Sequence, residues 1–150
     1  MTTTNRKRRR QTATHSLHVG MMLHQAASRW QRVANEALSE IGVNHTQFMM
    51  LWGIQNLQQD EITPTQVELS SYTRTDVMLT SKTLRSLEEL GFVTRERHPS
   101  DTRARVISLT ELGTTACQRA EELLTAVEIQ FFQETADPSL RSSLLAILSS

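Results

Sequence analysis

The 150-residue chain is poor in several things that would decide its class early. It has one cysteine, Cys117, so no intrachain disulfide can form, and a reducing cytoplasm is the expected home. Three prolines and five glycines exclude a collagen-like or low-complexity chain, and 38% apolar residues exclude wholesale disorder. No apolar run approaches the ~18 residues of a membrane span. The basic N-terminus is not followed by an apolar stretch, because His15, His18, His24 and Gln25 interrupt it, so no secretory signal is read. The glycine-rich phosphate loop, the His-Glu-x-x-His zinc motif and the nucleophile elbow are all missing, and no enzyme is expected. His15, His18, His24 and His45 lack the Cys/His spacing and acidic partners of a metal site, so neither metal nor cofactor is expected.

Net charge is zero, but its distribution is uneven. Arg6, Lys7, Arg8, Arg9 and Arg10 form a basic tail without acids. The C-terminal part sets Arg119 and Arg141 against Glu121, Glu122, Glu128, Glu134 and Asp137. Between Arg74 and Arg105 cations gather again, so a neutral molecule can still present a basic face.

Residues 1–14 carry almost no apolar side chains and read as a disordered basic tail, able to follow DNA phosphates or simply to be solvated. From about 15 to 41, Leu23, Ala26, Ala27, Trp30, Val33, Ala34, Ala37, Leu38 and Ile41 recur at helical steps, and Gly42 supplies a stop. Asn44 and Gln47 form a capping box for a second helix carrying Phe48, Leu51 and Trp52. Ile62-Thr63-Pro64 is extended. Thr65 and Glu68 cap a short third helix expected to hold Val67 and Leu69 inside, and Tyr72-Thr73-Arg74 turns into a fourth helix from about Thr75 to Leu90. The period then changes: Phe92 to Arg97 and Arg105 to Leu109 read as two strands around a Pro/Ser/Asp turn. Thr110 caps a fifth helix to about Phe132, and Asp137-Pro138 opens a last one with Leu140, Leu144, Leu145, Ile147 and Leu148. The fold class expected is mainly α (α+β): a winged helix-turn-helix at about 44–109, framed by dimerisation helices at about 15–41 and 110–150, all within one domain of residues 15–150.

Two stretches carry a resemblance. Asp76 to Gly91, ending in Leu87-Glu88-Glu89-Leu90-Gly91, resembles the recognition helix of the MarR (multiple antibiotic resistance regulator) family. Asp101-Thr102-Arg103, followed by a strand and Leu109-Thr110-Glu111-Leu112-Gly113, resembles its wing. The resemblance covers about residues 15–150. It implies a homodimeric winged-helix DNA-binding regulator, usually a repressor, that many members release on binding a small aromatic ligand or an oxidant. Oxidant-sensing members carry their reactive cysteine near the start of the first helix, where this chain has none, so Cys117 is expected to be an inert buried thiol.

Residue by residue, at 100° per residue, Val77, Thr80, Ser81, Leu87 and Glu88 lie within about 60° of Leu84 and form the inner face of the fourth helix. Thr75, Met78, Leu79, Lys82, Ser86 and Glu89 face outward, with Arg85 flanking. Lys82 can donate to guanine, Leu79 and Met78 can touch thymine methyls, and Thr75 and Arg85 suit phosphates. Arg103 at the hairpin tip suits a minor groove, with Asp101 orienting Arg103 or Arg105 and tightening the turn. Arg95, Arg97 and Arg105 add phosphate-binding charge. The expected interface is therefore Thr75, Met78, Leu79, Lys82, Arg85, Ser86, Arg103 and Arg105. A candidate pocket for a small aromatic effector comprises His15, His18, Met22, Trp30 and Trp52, for which ordinary core packing is the competing explanation. The function expected is a ligand-responsive repressor acting as a homodimer on a palindromic site. The alternative is a winged-helix protein-interaction module that docks a partner through Met78 and Leu79.

Overall fold

A computed structural model describes residues 18–133 and 137–149. The Arg6–Arg10 tail and His15 lie outside the described residues. The chain divides into two compact units between Val33 and Ala34. The described part of the first is the N-terminal stretch of helix α1 (Val19–Leu38), with Val19, Met21, Met22 and Leu23 exposed and Trp30 half-buried.

The second unit begins at Ala34 and Leu38, both buried, followed by a 3-10 turn at Ser39–Ile41 that ends where Gly42 takes φ +72°. The order is then α2 (His45–Gln59), α3 (Gln66–Thr73), α4 (Val77–Glu89), β1 (Val93–Arg97), β2 (Arg105–Leu109), α5 (Glu111–Phe132) and α6 (Ser139–Ser149). This is the expected mainly α winged helix-turn-helix. Polar side chains begin the helices by binding N–H groups that the helix itself leaves unpaired. Asn44 Oδ1 accepts from Gln47 N at 2.9 Å while Gln47 Oε1 accepts from Asn44 N at 2.8 Å. Glu68 Oε2 returns to Thr65 N at 2.7 Å, and these bonds hold the Glu68 carboxyl below the usual carboxylate range. A depressed carboxylate contributes stability above its unfolded-state value and loses it as pH falls through its folded-state one. The α3 cap therefore weakens on acidification.

Helix α2 is the centre of the unit, packing on α3, α4, α5 and β2. Met50, Leu51 and Ile54 are fully buried there with Leu69, Leu84, Leu87 and Ile107. Val67 is not inside: it is 64% exposed. Val67 and Leu69 are two residues apart, about 200° around a helix, so one core cannot hold both. The antiparallel hairpin pairs Val93 with Leu109 through to Arg97 with Arg105. It is anchored on its other edge, where Ile107 N donates to Pro64 O at 2.9 Å and Thr65 bridges Val106. The extended Ile62-Thr63-Pro64 segment thus acts as a third, minimal strand tying the hairpin to α3.

Cys117 is buried on α5, and burial, reinforced by Glu121, pushes its thiol up to about 12. Only the thiolate is alkylated. Iodoacetamide at pH 8 is expected to modify the native protein roughly a thousandfold more slowly than the urea-unfolded chain, from thiolate fraction alone. Equal rates would place the thiol at the surface.

Candidate nucleic-acid interface

The candidate interface is set by how α4 begins. Arg74 ends α3 in the left-handed region, φ +51°, without being glycine, and closes the helix-turn-helix turn. Ser70 Oγ donates to Thr75 O at 3.0 Å, and Thr75 Oγ1 donates to Thr73 O at 3.3 Å, fixing the turn from both sides. Asp76 then caps α4 by accepting from Met78 N at 2.9 Å and Leu79 N at 3.1 Å. Its carboxylate is thereby engaged by the helix N-terminus.

On α4, Thr80, Thr83, Leu84 and Leu87 are buried. The two threonine hydroxyls are satisfied within the helix, Thr80 to Asp76 O at 2.9 Å and Thr83 to Leu79 O at 2.8 Å. Two residues expected inside are exposed. Val77, 45% exposed, is the first helical residue and lies beyond the end of the core. Glu88 reaches out to Arg95 in a 2.7 Å ion pair. That pair also engages the charge of Arg95, which was expected to be available to phosphates. Ser86, expected outward, is half-buried and accepts from Gln47 Nε2 at 3.0 Å, so its hydroxyl braces α4 on α2. What α4 presents outward is Met78 (76% exposed), Leu79, Lys82 and Arg85, with Glu89 at its far end. Arg85 lies along the helix, its Nε donating to Ser81 O at 3.4 Å.

The wing loop is held by its own polar groups. His98 N donates to Ala104 O and Ala104 N to Asp101 O, each at 3.1 Å. His98 Nδ1 accepts the N–H groups of Ser100 and Asp101 at 3.2 and 3.1 Å. Asp101 Oδ1 accepts from Arg103 N at 2.9 Å. Asp101 thus tightens the turn through the backbone, and among the described residues it makes no ion pair with Arg103 or Arg105. Both guanidinium groups stay exposed. Between wing and α3 runs a groove of about 580 Å³ lined by Thr65, Gln66, Val67, Arg95, Arg103 and Arg105 among others.

The pocket candidates fall in both units. His18 and Met22 are exposed and Trp30 half-buried in the first unit. Trp52, in the second, sits 5.7 Å ring to ring from Tyr72. Among the described residues, no three His, Cys, Asp or Glu side chains gather as a metal site, and no helix is long and apolar enough to cross a membrane. Sequence reasoning missed Arg74, whose guanidinium donates to Leu148 O on α6 at 3.0 Å, and His98 as the staple of the wing. The His98-Pro99-Ser100-Asp101 spacing was a usable signal for the second; nothing local marked the first.

The pattern of the MarR family matches residues 43–104 of this chain, the stretch from the start of α2 to the wing loop. The uncharacterized HTH-type transcriptional regulator YdcH of Bacillus subtilis (strain 168) is 34% identical over 113 residues, covering 75% of this chain and 77% of that protein. The multiple antibiotic resistance protein MarR of Escherichia coli (strain K12) is 29% identical over 106 residues, 71% of each. Among solved structures, a cysteine-to-serine mutant of Escherichia coli MarR complexed with operator DNA superposes with a TM-score of 0.74 at 23% identity, over 87% of this chain and 91% of that one. BpsR of Bordetella bronchiseptica, whose DNA binding is regulated by 6-hydroxynicotinic acid, gives 0.76 at 18% identity, over 89% and 92%. The superpositions speak for the fold and the sequence matches for kinship: the chain belongs to the MarR family of transcriptional regulators.

Proposed function

We propose that the protein is a homodimeric, sequence-specific DNA-binding repressor, acting in the cytoplasm on a palindromic operator and released by a small aromatic effector. The observation that carries the reading is the outer face of α4, where Met78, Leu79, Lys82 and Arg85 stand clear of the core. Lys82 donates to a guanine edge, while Arg85 and Arg105 serve phosphates. Thr75, expected among the phosphate contacts, is half-buried, with its hydroxyl donated to Thr73 O and its N–H to Ser70 O. Arg103 enters the adjoining minor groove, held by the Asp101 turn. Residues 44–109 form the reading head, and 15–41 with 110–150 pair two copies. Helix α6 supports the pairing: it buries no residue in the single chain, leaving Leu140, Leu144, Leu145, Ile147 and Leu148 exposed. A twofold dimer would set two copies of α4 about one DNA turn apart, ~34 Å. The effector is read from the relatives, one of which responds to an aromatic acid by its name. A screen of phenolic and aromatic carboxylic acids for loss of DNA binding checks it.

Duplexes selected from a random pool by the full-length protein test the reading. Lys82→Ala is expected to weaken the selected site about fivefold or more while leaving random duplex nearly unchanged, as loss of one base contact does. Equal losses on both would make Lys82 a phosphate contact. A second reading, docking of a protein partner through the apolar Met78 and Leu79, is separated by salt: DNA affinity falls steeply with ionic strength and an apolar contact barely responds.

A further inference from the structure

The chemistry α4 presents is unusual for a reader of hydrogen-bond patterns, because in its first two turns Lys82 is the one exposed side chain with a hydrogen-bonding group, with Ser81 half-buried beside it. Thr80 and Thr83 have their hydroxyls bound to backbone carbonyls inside the helix. Asp76 is bound to two N–H groups. No Asn, Gln or Arg occurs between Val77 and Leu84. The exposed side chains there are Val77, Met78, Leu79 and the single cation Lys82. Lys82 lies four residues from Met78 and three from Leu79, and Arg85 three beyond Lys82, so the four fall within about 120° of one another on one face. In a major groove the apolar feature is the methyl group at C5 of thymine, and unbranched Met and branched Leu can both cover it.

We infer that the protein recognises its half-site chiefly through C5-methyl groups on pyrimidines, with Met78 and Leu79 as the specificity-determining residues and Lys82 the lone guanine contact. This rests on the DNA-binding reading above and narrows it to a ligand class. A nucleic-acid occupant fits better than an apolar protein patch because of the surrounding charge. Lys82 and Arg85 share the face of the Met78–Leu79 pair, and the exposed Arg103 and Arg105 stand on the wing. The acid beside the pair, Asp76, is engaged by the helix end. Reading a base by its methyl alone has a consequence. Neither Met78 nor Leu79 can tell the O4 acceptor of thymine from the N4 donor of cytosine. A 5-methylcytosine at a contacted position therefore substitutes in part for thymine, and operator methylation raises affinity.

The test uses the full-length protein and the duplex it selects from a random pool, resynthesised in matched pairs that differ only by the methyl group. Deoxyuridine replaces thymidine at half-site positions, and 5-methylcytosine is compared with cytosine at the same positions. Each contacted methyl is expected to raise affinity about fourfold, the effect of burying one such group. Met78→Ala/Leu79→Ala should bind members of each pair equally, keep the same salt dependence on random duplex, and retain the wild-type circular dichroism. Met78→Leu, which keeps the apolar cover, should retain the methyl preference and guards against loss of fold in the double variant. Wild-type protein that binds selected duplex tightly but treats thymine and uracil alike overturns this inference and leaves DNA binding standing. Failure to select any duplex in dilute buffer overturns the underlying reading instead. A double variant that keeps the full methyl preference assigns the recognition elsewhere and overturns the roles of Met78 and Leu79.

Discussion

Gly113→Ala is expected to cost at least about 3 kcal/mol of stability, the upper end of what overpacking produces, because the obstruction is backbone and cannot rotate away. A Cβ on Gly113 would overlap the carbonyl oxygen of Phe92 and stand 2.8 Å from its carbonyl carbon. The closeness comes from Thr110. Its N–H donates to Phe92 O at 3.0 Å, its hydroxyl donates to Gly91 O at 2.7 Å, and the same oxygen accepts from Gly113 N at 3.0 Å. One threonine thus ties the start of α5 to the turn that follows α4. The first turn of α5 is pulled so tightly onto that turn that the residue at the third helical position has no room for a side chain. The Leu-Thr-x-x-Gly pattern is therefore a joint between wing and helix. Urea unfolding of wild type and variant measures the effect. A loss below about 0.5 kcal/mol would mean that the joint gives way easily and that Gly113 is not required by packing.

The Leu145→Glu/Leu148→Glu double variant is expected to have the largest effect on function. Both side chains are about half exposed in the single chain, at 53% and 54%, so the fold of one protomer should survive and circular dichroism should not change. If α6 pairs two copies, the substitution places four carboxylates in one apolar contact, each costing several kcal/mol without a partner. Sedimentation should show a monomer at micromolar concentration. Affinity for a two-half-site duplex should fall at least about a hundredfold, because the second half-site no longer benefits from effective concentration. The Arg74 bond to Leu148 uses a backbone carbonyl and is not removed by the change. A variant that stays dimeric would move the pairing surface away from α6.

Local chemistry made most of the fold legible. The capping pairs Asn44/Gln47 and Thr65/Glu68 and the cap Thr110 are short-range bonds whose partners lie within three residues, while the Asp76 cap, one residue inside the expected start of α4, went unread. The hairpin followed from period and turn residues, and β2 is Arg105–Leu109 as read. Positions decided at longer range were misjudged. Ser86 turned inward because Gln47, 39 residues away, supplies a donor, and Glu88 turned outward because Arg95 waits on β1. Val77 failed for a related reason: helical angle says which way a residue points but not where along the axis the core ends. The outer face of α4 was legible to the extent that angle alone decides it, as for the exposed Met78, Leu79, Lys82 and Arg85. The docking of Pro64 on β2 carries no local pattern, and neither does the left-handed Arg74.

The central claim is that two protomers present a pair of α4 helices and a pair of Arg103 wings to one duplex at a fixed spacing. Sedimentation equilibrium of the full-length protein with a selected duplex, at low and moderate salt, tests it most directly. The account expects two protomers per duplex and an affinity that falls steeply as salt rises, through release of counterions from several phosphates. One protomer per duplex, or an affinity indifferent to salt, would contradict it.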